Sequence, residues 1–305
     1  MKPSSRFPRP SRASRRSGLV AALRPHQWTK NLIVFAGLIF GQKLLDPDAV
    51  ARATAAFAIF CALSSVVYLL NDLVDRDADR LHPLKKHRPI ASGVISPTVA
   101  ATTAAALGAV ALAGGFLLGR AFGVVSAAYV GLFALYSGGL KHVVIIDVLT
   151  IAAGFVLRAV GGAVAIPVPI SPWLLVVTIL GALFLGFAKR RHELVLLADD
   201  ASGHRRSLEE YSPYLLDQMI AVVSASTIVA YAFYTVSPDT IHKFGTNMLG
   251  LTLPFPLYGI FRYLYLVHQK EGGGSPAELL ITDRPLLACV ALWALAVVAL
   301  IYGVP

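Results

Sequence analysis

Nine stretches that are long and almost free of charge set the fold of this chain, at roughly 31–45, 50–72, 98–119, 122–138, 143–166, 172–190, 215–236, 246–268 and 285–303. About 20 apolar residues cross a bilayer as a helix, because hydrocarbon offers backbone amides no outside partner. The expected class is therefore all-α and integral to a membrane, with nine spans. The first stretch is short and the fourth starts close behind the third, so eight is the alternative count. With 56% hydrophobic and only 14% charged residues, and a mean hydropathy of +0.67, a soluble domain is excluded.

Nine spans make the distribution of charge a test of orientation. With the N-terminus in the cytoplasm, the inner segments are 1–30, 73–97, 139–142, 189–214 and 262–284, and they hold 22 of the 27 Lys and Arg. The outer loops keep Lys43, Arg52, Arg120 and Lys243, while Arg158 lies inside a span. The reading is a multi-pass protein of the cell membrane whose charged loops open on the cytoplasm. The net charge of +10 is thus spent on topology, and no nucleic-acid partner is expected.

Residues 1–23, with Arg6, Arg9, Arg12, Arg15 and Arg16 among Ser and Pro, read as a disordered basic arm drawn to anionic lipid. The arm lacks the apolar core and cleavage site of a signal peptide. Residues 24–305 read as one transmembrane catalytic domain. Cys61 and Cys289 lie in apolar spans and imply no disulfide framework. The run Glu271-Gly272-Gly273-Gly274-Ser275 reads as a hinge, since no Lys-Ser/Thr helix start follows it.

Chemistry concentrates at Asn71-Asp72-Leu73-Val74-Asp75-Arg76-Asp77-Ala78-Asp79, directly after the second apolar stretch. At helical pitch Asp72, Asp75 and Asp79 share one face with Asn71. Like charges stacked this way repel unless a cation sits among them. Oxygen ligands without His or Cys suit Mg²⁺, which binds one or two carboxylates plus substrate phosphates. The bland alternative is a solvated acidic helix end, but acids at a membrane face are functional by default.

The basic loop Arg80-Leu81-His82-Pro83-Leu84-Lys85-Lys86-His87-Arg88-Pro89 follows on the same side. Carboxylates for a metal beside Lys85, Lys86 and Arg88 make a metal–phosphate site, with one of the two lysines left as plain topology charge. Tyr136, Lys141 and Asp147 begin a second group, and Asp147, Ile151, Gly154 and Arg158 form one helical stripe. An Arg at that depth must face a protein cavity, holding either a ligand or an acid on another helix. The third group is Lys189-Arg190-Arg191-His192-Glu193, which suits a phosphorylated substrate or a topology signal, and the segment Asp199 to Tyr211 after it reads as a cover. Before the first span, in Arg24-Pro25-His26-Gln27-Trp28-Thr29-Lys30-Asn31, Trp28 reads as an interface anchor and Lys30 as a lipid-phosphate contact.

These features together resemble the UbiA superfamily of intramembrane prenyltransferases over almost the whole chain. The resemblance rests on the NDxxDxxxD motif (Asn71, Asp72, Asp75, Asp79), on Lys86-His87-Arg88-Pro89, and on the Tyr136, Lys141, Asp147 start of the fifth span. It implies a helical barrel in which the aspartates hold Mg²⁺ against a diphosphate. Usual members carry a second aspartate-rich motif at the end of the sixth span, where this chain has Lys189 to Glu193. That departure is similar to the branch using phosphoribosyl pyrophosphate as donor and a polyprenyl phosphate as acceptor.

The resemblance then implies Mg²⁺ on Asp72, Asp75 and Asp79, and a leaving pyrophosphate stabilised by Lys86, Arg88 and Lys141. Lys30, Arg158, Lys189, Arg190 and Arg191 would hold the donor 5-phosphate and the lipid phosphate, and Glu193 would orient an Arg or reach a ribose hydroxyl. Prenyl transfer from an isoprenyl diphosphate to an aromatic acceptor is the alternative. A secondary transporter, suggested by Asp147 and Arg158, ranks below both, because no half-repeat is visible. Self-association is left open.

Overall fold

The computed structural model describes residues 12–83, 85–197, 208, 210–269, 279 and 282–303, with side chains described from residue 17 and, in the segment ending at 197, only to 195. Within them every regular element is a helix. The elements are α1 (Arg12–Leu23), a 3₁₀ segment (Pro25–Phe35) running into α2 (Ala36–Phe40), α3 (Pro47–Val74), α4 (Arg76–Leu81), α5 (Pro97–Leu118) and α6 (Arg120–Gly138). They continue with α7 (Ile146–Ala165), α8 (Pro172–Leu197), α9 (Pro213–Val236), α10 (Pro238–Phe244), α11 (Pro254–Gln269) and α12 (Arg284–Tyr302).

Local chemistry explains where these helices start. Asp46, Ser96, Ser212, Ser237 and Asp283 each accept a backbone N–H of the first turn, and each stands one or two residues before a proline. The side-chain oxygen satisfies an orphan donor, and proline has no N–H to leave unsatisfied. At the opposite end Arg52 donates from Nε to the Ala165 carbonyl and from Nη2 to the Leu118 carbonyl, both at 2.6 Å. One guanidinium thereby serves the C-termini of α5 and α7, where carbonyls lack intrahelical partners.

Among the described residues seven helices are long and apolar enough to cross a membrane: α3, α5, α6, α7, α8 (to Val195), α9 and α12. Gly119 divides α5 from α6, so the third and fourth apolar stretches are separate helices. The first and eighth stretches differ from expectation. Each is a 3₁₀ segment joined to a shorter α-helix, Pro25–Phe35 with α2 and Met248–Thr252 with α11. Pro254 and Pro256 break the regular ladder in the later stretch.

The N-terminal segment also departs from expectation. From Arg12 it is helix rather than disordered arm, with Leu19, Ala22 and Leu23 packed against Val66, Leu69 and Ile95. Residues 1–11, most of the 199–211 cover and the 271–275 hinge lie outside the described residues.

Two larger apolar clusters among the described residues support the bundle. One joins Val34, Phe60, Leu63, Phe122 and Tyr129, with Phe60 edge-on to Phe122 and Tyr129. The other joins Val148, Phe184, Phe187, Leu216, Ile220, Tyr263 and Leu286 across α7, α8, α9, α11 and α12. The last helix returns to the first stretch, where the Tyr302 hydroxyl accepts from Leu44 N–H at 3.1 Å and sits 3.2 and 3.1 Å from the Leu38 and Ile39 carbonyls. The antiparallel run brings the C-terminal ends of α3, α6 and α8 together with the start of α7.

Candidate active site

The acidic motif straddles a break. Asp72 lies in the last turn of α3, Asp75 closes that helix, and Asp79 lies in α4. Backbone bonds from Asp75 to Asn71 and from Asp79 to Asp75, at 2.9 and 2.7 Å, keep helical register across the break. The expected common face therefore survives. Asp72 and Asp79 are buried.

Cationic side chains meet every one of these acids. Arg88 Nη1 donates to Asp72 Oδ1 at 3.0 Å and to Asp79 Oδ2 at 2.7 Å. Arg24 Nη2 reaches both Asp72 oxygens, at 2.7 and 2.8 Å, with its guanidinium over the Tyr68 ring. Buried Lys141 pairs with Asp75 Oδ1, and Asn71 Nδ2 donates to Asp75 Oδ2 at 3.1 Å. Ser137 lies 3.5 Å from Asn71 Oδ1. Burial pushes Asp79 above the usual carboxylate range, while Arg88 and Lys85 pull it back.

No three carboxylate, His or Cys side chains converge into a closed metal cage among the described residues. Mg²⁺ asks for less than a cage, since it keeps waters and takes phosphate oxygens from substrate. Its fit is supported by Arg88 Nη1, a cationic nitrogen shared between Asp72 and Asp79, and by a donor set made of oxygen alone. Asp72 and Asp79 share that nitrogen, and Asp75, the third acid expected from sequence, is paired with Lys141.

The second and third groups join through Asp147 rather than along its own helix. Asp147 is 0% exposed; it accepts from Arg190 Nε at 2.8 Å and from the Tyr211 hydroxyl at 3.0 Å. Arg190 Nη1 also pairs with Glu193, and Tyr136 is buried. Tyr211 accepts the Ile145 N–H at 2.7 Å, and burial next to Asp147 raises its hydroxyl pKa. Ile145 has φ +68° and ψ −47°, and Ile146 N–H bonds Val144 O at 2.8 Å across it. That is a strained positive-φ γ-turn in a β-branched residue, held from the α9 side by Tyr211.

Arg158 is also buried, and it donates to Asn31 Oδ1 at 2.7 Å and to Tyr129 Oη at 2.6 Å. Asn31 in turn reaches Ser64 and Cys61 on α3, at 3.2 and 3.3 Å. Phe133 packs closely on Gly154, where an added Cβ would stand 2.6 Å from its ring and 3.8 Å from Arg158 Nη1. Lys30, half-buried, has its pKa lowered to about 8, by burial first and then by Arg158 and Arg24.

The expected residues are not all equally placed. Lys189, with its side chain 41% exposed, stands 3.7 Å from Glu193 and feels the charge of Lys30. Arg191 turns away to Asp217 on α9, which His268 on α11 also contacts at 3.2 Å. Lys85 and Lys86 lie on a 3₁₀ turn over the acids, and Lys86 is exposed. The Trp28 indole donates to Ser65 Oγ at 3.0 Å. Arg24, Asn31, Tyr129 and Tyr211 were not singled out from sequence as site residues, although the first two lie in the string that precedes the first span.

An oxygen-rich acidic face and a buried cationic wall in an all-helical membrane bundle define an intramembrane group-transfer site. The UbiA prenyltransferase family model matches residues 31–281, and the chain belongs to that family. It is 34% identical over 299 residues to a decaprenyl-phosphate phosphoribosyltransferase of Mycolicibacterium smegmatis, covering 94% of this chain and 93% of that one. A protein of the same name from Corynebacterium glutamicum is 33% identical over 302 residues, covering 94% and 88%. The fold matches a UbiA homolog from Archaeoglobus fulgidus bound to GPP and Mg²⁺, with TM-score 0.70 and 18% identity over 93% of this chain and 99% of that one.

Proposed function

We propose that the protein transfers the 5-phosphoribosyl group of phosphoribosyl pyrophosphate to a polyprenyl phosphate such as decaprenyl phosphate, releasing pyrophosphate. The observation that carries this reading is the lopsided site. One acidic cluster meets Arg24, and Lys30, Arg158 and Lys189 add further positive charge, which a donor bearing only a hydrocarbon tail has no second phosphate to neutralise. The full-length similarity to relatives of that name agrees with it.

Asp72, Asp75 and Asp79 would hold Mg²⁺, which when bound neutralises a pyrophosphate. Around it Arg88 and Lys141 release carboxylates as the donor arrives and neutralise the leaving group, with Lys86 from the turn above. Loss of pyrophosphate leaves cationic character at C1 of the ribose. A lipid phosphate oxygen then attacks the opposite face. That nucleophile is already an anion, so no general base is needed, and Lys189 is the exposed cation suited to orient it. Arg190, fixed by Asp147 and Glu193, positions this wall. Asp147, one of the two observations behind a transporter reading, is otherwise accounted for by its pairing with Arg190.

The reading places the chain in the cell membrane with nine crossings, and puts the N-terminus and site in the cytoplasm, as the basic residues favour. A lipid-linked phosphoribose made there suits supply of arabinan precursors to a cell wall. The test offers purified protein with Mg²⁺ two donor–acceptor pairs. Phosphoribosyl pyrophosphate with decaprenyl phosphate is expected to react, and consumption only of isoprenyl diphosphate with an aromatic acid contradicts the reading.

A further inference from the structure

Arg158 differs from the other arginines around the site, and from Lys141 and Lys189, each of which faces a carboxylate. Arg24 and Arg88 face Asp72, Lys141 faces Asp75, Arg190 faces Asp147 and Glu193, Arg191 faces Asp217, and Lys189 faces Glu193. Arg158 is 4% exposed and has only neutral partners, namely Asn31, Tyr129 and the rings of Tyr129 and Phe155 at 4.9 and 5.0 Å. Its Nη1 has no hydrogen-bond partner among the described residues. That nitrogen lies toward Gly154, one turn nearer the Asp147 end of α7.

A guanidinium in a membrane interior needs an anion or water, and here the protein supplies no carboxylate. Lys30 is the chain neighbour of Asn31, to which Arg158 donates, and brings a second positive charge beside it. The depth is informative. Asn31, which holds Arg158, bonds Ser64, and from Ser64 to Asp72 is about 12 Å along α3 at 1.5 Å per residue. A ribose carrying pyrophosphate at C1 and phosphate at C5 can be held at both ends of such a gap by side chains reaching inward.

We propose that Arg158, with Lys30 beside it, receives the 5-phosphate of the donor. This rests on the phosphoribosyl-transfer reading and deepens it. The donor is gripped at its pyrophosphate by the acidic face and at its monophosphate by Arg158. The lipid phosphate is left to Lys189, whose side chain is open while that of Arg158 is not. An isoprenyl diphosphate would lay hydrocarbon against Nη1, so the same residue selects against a prenyl donor.

The test measures binding to the detergent-solubilised full chain with Mg²⁺, using phosphoribosyl pyrophosphate, ribose 1-pyrophosphate and inorganic pyrophosphate. Wild-type protein is expected to bind phosphoribosyl pyrophosphate about 10- to 100-fold more tightly than ribose 1-pyrophosphate, the scale of lost charge-assisted hydrogen bonds. In Arg158→Gln that preference collapses while pyrophosphate binds as before, and Arg158→Lys recovers part of it. Equal wild-type affinity for the two sugar donors overturns the assignment whatever the variants do. So does an Arg158→Gln protein that keeps its preference and instead loses affinity for polyprenyl phosphate. Wild-type protein that binds pyrophosphate but neither sugar donor overturns the phosphoribosyl reading itself, and this assignment falls with it.

Discussion

Arg190 Nε donates to Asp147 Oδ2 at 2.8 Å with both side chains buried, which ties the C-terminal part of α8 to the first turn of α7. Removing one member of such a pair strands a charge, at a cost of about 3–5 kcal/mol. Asp147→Asn or Arg190→Gln should therefore lower the midpoint of thermal unfolding in detergent. A combined variant should lose less than the two single losses added. An unchanged midpoint with a raised KM would instead make Arg190 a direct substrate contact.

The acids behave differently if they hold a metal. Asp72→Asn and Asp75→Asn should cut turnover on the order of 100-fold or more while the protein still extracts and unfolds cooperatively. Chelation of divalent ions should do the same to the wild type, and Mg²⁺ should restore it. Near-normal turnover in either variant removes the metal role.

Lys30 supplies a pH dependence. With its ammonium pKa lowered from 10.5 to about 8, it loses charge as pH rises through about 8, so substrate affinity should fall there. Lys30→Arg stays charged and should abolish that alkaline limb. The folding contribution has the opposite sign. Because the folded pKa lies below the unfolded one, the ammonium weakens the fold below about pH 8, and this is relieved as pH rises toward 10.5. A KM profile that is flat between pH 7 and 9 contradicts this role.

Close backbone approach makes a prediction far from the chemistry. A Cβ at Gly162 would stand 2.0 Å from the Val34 carbonyl oxygen, where α7 crosses the first stretch. Neither backbone can give way cheaply, so Gly162→Ala should destabilise by roughly 1–3 kcal/mol or more. A wild-type unfolding midpoint would show that the crossing is looser than the packing implies.

Much of this was legible in the sequence because it is local. Apolar length marked the spans, and the spacing of Asp72, Asp75 and Asp79 marked a shared face that persists through the break at Asp75. What escaped depends on distant or irregular geometry. Arg24 reaches Asp72 across 48 positions from a left-handed backbone, φ +52°, which no periodicity announces. Asp147 and Arg158 share a stripe, yet lie about 16 Å apart along α7, so each finds partners on other elements. The Tyr211 brace on Ile145 rests on a γ-turn that no spacing rule encodes.

The central claim is tested most directly by incubating membranes containing the protein with Mg²⁺, polyprenyl phosphate and phosphoribosyl pyrophosphate radiolabelled in the ribose. The account predicts label in the organic-soluble lipid, dependent on Mg²⁺ and lost in Asp72→Asn. Absence of label from lipid, with the protein folded and donor present, contradicts it.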